Sequence, residues 1–324
     1  MTLSRAPTDL ATATTLEAEH RVLRQAAASR RKLRLHNRDW LWAFLFLGPN
    51  LILFLAFTLG PMLYGLGVSF FDWNMLQPAR FVGIGNYVQF FIGDQLTGKV
   101  VGNSVYYALG ALPASVLIPL GLAVLLNAGV RGTGLFRSIY FLPLVASVVA
   151  ASTIFKWVYA KDFGTINQLT GVFGIPRQDW LFDERLVIPA LIVVSVWHRI
   201  PLNIILYLAA LQSVPRTLYE AARIDGAGAW AQFRHVTWPM VTPTTFFVVI
   251  ITVISLTVGG FDQVSVMTQG NPLNASNIMV FNIWRTAFVY FQMGYASAMA
   301  YILFVVVLLF TAVQWWLQRR WVHY

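Results

Sequence analysis

Apolar and polar residues fall in long blocks along this chain, not at the short periods of soluble helices and strands. Six runs are nearly free of charge, at residues 41–71, 100–130, 138–160, 186–211, 241–261 and 295–317. Each reaches the ~20 residues a helix needs to cross the hydrocarbon of a bilayer. Continuous apolar runs without alternation select helices, whose backbone groups are satisfied inside lipid. The pattern therefore predicts an all-α fold, a polytopic transmembrane bundle of six membrane-spanning helices. Residues 1–39 form a basic tail, densest at "RRKLRLHNR", and residues 40–324 form the membrane domain. The tail is too long for a secretory n-region, and no small-residue cleavage site follows it. It reads as a cytoplasmic tail touching anionic lipid, with residues 15–35 suited to a surface helix.

Composition agrees with the blocks. The chain is 57% hydrophobic and 11% charged, against about 45–50% and 25% in soluble domains. With no cysteine, thiol catalysis, cysteine-zinc sites and a disulfide framework are excluded. A net charge of +10 invites a nucleic-acid reading, but the placement of the charge argues otherwise. With the N-terminus inside, six crossings put fifteen Lys and Arg residues on the inner side, six on the outer side and two within the membrane. That bias is the positive-inside rule, so the charge sets orientation and is no nucleic-acid footprint. Both termini are then cytoplasmic.

Little conventional chemistry is present. "GDQLTGKV" (residues 93–100) spaces Gly, Gly and Lys like a phosphate-binding loop, but Val100 stands where Ser or Thr should reach magnesium. "NAS" at Asn274 fits the glycosylation sequon by chance. The five histidines, His20, His36, His198, His235 and His323, lack metal-ligand spacing. No Ser/His/Asp or paired-carboxylate set is evident on the inner side. No catalytic, metal or cofactor residue is expected, and no ATPase site.

Two charges interrupt the apolar runs. Lys156 sits beside Trp157 and Tyr159 near a helix end, where snorkelling to an aromatic belt accounts for it. Arg199 falls about 13 residues into its run, roughly 20 Å deep at 1.5 Å per residue. A charge there normally faces a wet cavity or a partner. Pro201 frees the Trp197 carbonyl and predicts a kink. Ser195, His198, Arg199 and Leu202 share one helical face, and Asn203 adds a polar group one turn on. This face is a candidate substrate contact; the alternative is a salt bridge to a partner subunit.

The most polar insert is "YEAARIDGAGAWAQFRHVTWP", from Tyr219 to Pro239, inside a loop spanning residues 212–240. Residues 214–225 read as a short helix opened by Pro215 and stopped by Gly226. Leu218, Ala221 and Ala222 form a small apolar face, and Glu220 lies three residues before Arg223 for a weak ion pair. A second helix, residues 229–236, leads to Pro239 and Pro243, which open the fifth span. Such an element is a docking knob or a plain amphipathic connector.

Glu220-Ala221-Ala222, Gly226, Val236 and Trp238-Pro239 resemble the signature loop of importer-type ABC transporter permeases, spaced as in that family. Val236 and Trp238 replace its usual Ile and Leu. "FVGIGNY", "AALQSVPRTLYEAARIDGAGAW", "FDQVSVMTQGNP" and "MGYASAMAY" resemble, in the same order, segments of the carbohydrate-uptake branch, the maltose and glycerol-phosphate type. Asn271 departs from that branch's Gly-Gly-Pro ending. The resemblance covers roughly residues 40–324.

It implies a permease that works with a second permease, two cytoplasmic ATPase subunits and an extracytoplasmic solute-binding protein. The loop, with Glu220, Ala221, Ala222, Asp225, Gly226 and Pro239, would dock on an ATPase as a short coupling helix. Residues 195–203 and 255–262, among them Thr257 and Asp262, would line a mid-membrane cavity. ATP would be used by the partner subunits, with no cofactor held by this chain. The solute would be a sugar or related polyol, or alternatively a glycerol-phosphate-type ester. Competing classes are a stand-alone secondary transporter, for which no second loop of this type is found, and a polytopic enzyme, for which no catalytic set is found. The expected location is the bacterial inner membrane.

Overall fold

The structure is a computed structural model that describes residues 40, 42–128 and 140–321. The basic tail and the loop carrying Arg131 and Arg137 lie outside the described residues. Two compact units are present, residues 1–65 and 66–324. The described residues of the first belong to one helix, α1, Trp42–Val68, whose last three residues fall in the second unit and whose apolar window has no buried residue. Its wide π turn, Leu55–Leu59, lies just before Pro61, whose ring obstructs an ordinary α-helical turn.

The second unit holds a two-stranded antiparallel pair, β1 (Phe71–Asp72) and β2 (Arg80–Phe81), with Phe71 opposite Phe81. Then come α2 (Gly85–Val88), α3 (Thr97–Asn127), α4 (Val148–Val158), α5 (Thr165–Val172), α6 (Val187–Ser213) and α7 (Arg216–Ile224). The chain continues as α8 (Ala229–Met267), α9 (Met279–Phe288) and α10 (Met293–Trp321). Among the described residues, five helices are long and apolar enough to cross a membrane: α1, α3, α6, α8 and α10. The third run, expected as one crossing helix, is broken. Residues 140–145 are helical, then Ser147 turns extended and accepts a hydrogen bond from the Ala150 amide to cap α4. A Ser side chain competes for backbone in this way and starts a new helix. Residues 140–158 together reach roughly 28 Å at 1.5 Å per residue, still near the hydrocarbon thickness.

Helices α3 and α6 make the most extensive pairing. They run parallel, since Tyr107 meets Ser195 and Ser115 meets Asn203. Helix α8 runs antiparallel to both, with Gln263 at Ser195 and Thr252 at Asn203. Small residues permit the approach. Ala111 is fully buried, and a Cβ on Gly110 would come 2.5 Å from Ile192 Cδ1. Close backbone approach of this kind is how helices gain packing energy where lipid removes the hydrophobic drive.

Three of the four segments that resemble the sugar-permease branch, all but residues 209–230, converge at one end of the bundle, the end where α3 begins. Asn86 of "FVGIGNY" donates to the Ser69 and Phe71 carbonyls. Gly294 of "MGYASAMAY" lies against the Phe71 carbonyl oxygen, leaving no room for a Cβ. The turn after α8 places Gln269, Gly270, Leu273 and Asn274 at positive φ. It is tied down by Asn103 Nδ2 donating to the Asn274 and Asn277 carbonyls and by Ser276 Oγ donating to the Asn271 carbonyl. These sequence patterns are thus the hydrogen-bonded cap of the bundle.

Candidate functional site

At the other end of α3 and α6, α7 stands on the surface with no buried residue. Pro215 is its extended N-cap, so the helix starts two residues later than the sequence suggests and ends at Ile224, with Asp225 as C-cap. Gly226 sits at φ 78°. Its amide donates to the Arg223 carbonyl (3.0 Å) and that of Ala227 to Ala222 (2.8 Å), the paired bonds of a Schellman stop. Only glycine takes that backbone without strain. The expected Glu220–Arg223 ion pair does not form. The ion pairs among the described residues are Lys99–Glu184 and Lys161–Asp179. Both side chains of the expected pair are solvent-exposed, where the attraction does not offset lost rotamer freedom.

The second short helix differs too. It does not stop at Pro239 but continues as the first part of α8 through a π turn at Phe233–Thr237. Five-residue spacing there relieves the ring of Pro239 against the preceding turn. Phe233 packs on the inner core of Val116, Leu120, Tyr207, Leu211 and Val241, and Tyr219 Oη lies 3.0 Å from Thr237 Oγ1. Glu220, Ala221, Asp225 and Gly226 are exposed, Ala222 half-buried. Ile224 is 87% and Trp230 73% exposed. Sequence reasoning missed these two, although a large apolar side chain in a polar loop was the available signal.

The intramembrane candidates divide. Ser195 is buried, with Oγ 2.5 Å from both Tyr107 Oη and Gln263 Oε1, and Tyr107 Oη is 3.2 Å from the same amide oxygen. One residue from each of three helices thus closes a polar knot. Tyr107 fits because Gly260 has no side chain; a Cβ there would come 3.3 Å from Tyr107 Cε1 and 2.6 Å from Ile278 Cδ1. Asn203, expected at the cavity, is fully buried and donates to the Ser115 carbonyl (2.7 Å) and Thr252 Oγ1 (3.3 Å). Its amide nitrogen is spent on holding helices together, while Oδ1 is buried with no hydrogen-bond partner among the described residues. Tyr107 and Gln263 were not picked from the sequence, since neither carries a charge that marks it out from its neighbours.

His198, Arg199 and Leu202 are half-buried. His198 is within hydrogen-bonding reach of the Ala146 backbone, at the break before α4. Arg199, at the centre of α6, makes no hydrogen bond or ion pair among the described residues. It lies by Gly259, where an added Cβ would be 3.6 Å from Arg199 Nη2. Asp262, half-buried and without an ion-pair partner among the described residues, lies on the Gly259 side of α8. Thr257 is about 160° away around the helix. It lines instead an apolar groove of about 290 Å³ with Leu109, Val253, Leu256 and Phe310. The structure therefore separates Thr257 from the Arg199 face. Lys156 is exposed beside exposed Trp157.

Long apolar helices around a polar knot, with an exposed helix–glycine–helix insert at one end, define a polytopic membrane transport subunit. The chain belongs to the family of binding-protein-dependent transport system inner membrane components, whose profile matches residues 97–323. It is 31% identical over 302 residues to the probable ABC transporter permease protein YesP of Bacillus subtilis, covering 92% of this chain and 97% of that one. It is 32% identical over 283 residues to the lactose transport system permease protein LacF of Rhizobium radiobacter, covering 86% and 94%. A bacterial ABC transporter that imports the acidic polysaccharide alginate shares the fold, with a TM-score of 0.75, 24% identity and coverage of 90% and 99%. The protein is a multi-pass inner-membrane permease subunit of a binding-protein-dependent ABC importer.

Proposed function

We propose that this chain forms part of the translocation pathway for a sugar or related polyol, driven by ATP hydrolysis on two separate cytoplasmic subunits. The observation that carries the coupling role is the α7–Gly226–α8 element. Its helix α7 has no buried residue, it is stopped by a Schellman turn and braced through Phe233, and it leaves Ile224 and Trp230 exposed for a partner. A rigid helix with an apolar exposed tip suits insertion into a cleft and transmission of its movement into α8. The carbohydrate class is supported by relatives named for lactose, for starch degradation products and for multiple sugars. An extracytoplasmic binding protein delivers the solute, a second permease completes the pathway, and this chain holds no ATP, metal or cofactor and carries out no reaction of its own. Both termini and α7 face the cytoplasm, as the placement of basic residues supports. The Arg199 guanidinium, without a carboxylate among the described residues, favours as a second reading a solute that carries an anionic group.

Capture of the full chain from membranes should bring down an ATPase subunit, and Glu220→Lys should remove it while insertion is retained. In the same cells, a cysteine introduced at Ala227 should resist an impermeant thiol reagent added outside. Wild-type ATPase recovery with Glu220→Lys would sink the docking role, and labelling at Ala227 would reverse the orientation.

A further inference from the structure

A polar cavity of about 280 Å³ lies at the bundle end opposite α7, between residues 89–96 and the α9–α10 junction. Asp94 is fixed in it. Its Oδ2 accepts from Tyr295 Oη (2.8 Å) and its Oδ1 from the Leu96 amide (2.8 Å). Asp94 has no ion-pair partner among the described residues, and no Lys, Arg or His lines the cavity. The side-chain amides of Gln89, Gln95 and Gln292 also line it, and none makes a hydrogen bond among the described residues. Thr286, buried, completes the floor.

The surroundings of this cavity are apolar and exposed. Phe91 is 71% and Ile92 84% exposed beside Gln89 and Gly93, and Phe291 is 49% exposed between Tyr290 and Gln292. A half-buried carboxylate rimmed by three exposed glutamine side chains, with exposed aromatic and aliphatic neighbours, suits the boundary between headgroups and acyl chains. The ligand must then bring a cation to Asp94 and acceptors to the three amides, and it must be present in the membrane. We propose that this cavity binds the headgroup of a primary-amine phospholipid in the leaflet opposite α7. The ammonium donates to Asp94, and the phosphate oxygens accept from the glutamine amides. A quaternary choline has no N–H to donate, and an anionic headgroup would meet Asp94 with no basic side chain in the cavity wall, since Arg285 stands behind Asn282 and Tyr290 and is held by Asn274.

The test uses the purified importer complex in nanodiscs of equal parts phosphatidylethanolamine, phosphatidylcholine and phosphatidylglycerol, with the lipids retained after detergent extraction quantified by mass spectrometry. Wild type should retain phosphatidylethanolamine about fivefold over phosphatidylglycerol, the preference expected of one partly exposed ion pair. Asp94→Asn should erase that preference. If Asp94→Asn fails to assemble, the double variant Gln95→Ala/Gln292→Ala, at the exposed rim, decides: retained phosphatidylethanolamine should fall. Equal retention of the three lipids by wild type overturns the proposal, as does an undiminished preference in either variant. Should solute uptake fall in a variant whose lipid retention is unchanged, the cavity serves the solute or the binding protein and the lipid assignment is wrong. The result is independent of whether the solute is a sugar.

Discussion

The loop around Gly226 and the knot around Ser195 are both polar inserts in an apolar chain, and opposite conditions hold them. The loop stands in water. Its shape follows from neighbours in sequence: Pro215 before the helix, Gly226 after it, and two backbone hydrogen bonds across the stop. The knot is sealed. Tyr107, Ser195 and Gln263 come from three helices and satisfy one another, with separations of 88 and 156 residues from Tyr107. Losing a partner in the loop exposes a group to water, which replaces it. Losing a partner in the knot leaves only other protein groups to replace it, such as the Leu191 carbonyl 2.8 Å from Ser195 Oγ. Function that needs an accessible, replaceable surface belongs to the first kind of site, and rigid alignment of helices to the second.

The sharpest way to break this contrast is at Gly226. Valine at φ 78° is strained, and the stop that aims α7 should be lost. Gly226→Val is expected to abolish solute uptake while melting of the bundle in detergent stays near wild type. A variant that unfolds the membrane domain would show that the loop is not locally determined.

Arg199 lies between the two regimes, half-buried beside the knot yet unpaired among the described residues. If solute satisfies it, Arg199→Ala removes one charge-assisted hydrogen bond. The concentration for half-maximal uptake should then rise roughly 10- to 150-fold with assembly intact. If instead the second permease holds its counter-ion, the same change should release that subunit during co-purification. Unchanged uptake by an assembled complex would refute both roles.

The smallest transport effect is expected at the knot itself. Gln263→Leu removes the amide oxygen that the Tyr107 and Ser195 hydroxyls share; Ser195 Oγ keeps the Leu191 carbonyl at 2.8 Å and Tyr107 Oη keeps Ser195 Oγ, so the loss is about 1 kcal/mol, that of a single hydrogen bond. The melting temperature of the purified complex should fall, with ATPase binding to the loop retained. Unaltered melting would mean the knot contributes no alignment, and the contrast with the loop would fail.

The sequence by itself determined whatever depends on neighbours along the chain. Run length and lack of charge sufficed for membrane helices, and Pro215, Gly226 and the Glu220-Ala221-Ala222 spacing sufficed for the exposed loop. Where a local contest arose, the outcome was less legible: Ser147 capped a new helix inside the third run, and a π turn carried the loop's second helix through Pro239. Tertiary structure alone decided which residues face one another. It sealed Asn203 between Ser115 and Thr252, turned Thr257 away from Arg199, and brought Tyr107 to Gln263 across the bare backbone of Gly260. The reason is physical. A soluble helix announces its inner face by an apolar stripe, but α3, α6 and α8 are apolar all round because lipid and protein interior accept the same side chains. With no stripe to read, their rotation in the bundle is settled by close packing at Gly110 and Gly260 and by a few buried hydrogen bonds. Such contacts join residues that no window along the chain contains.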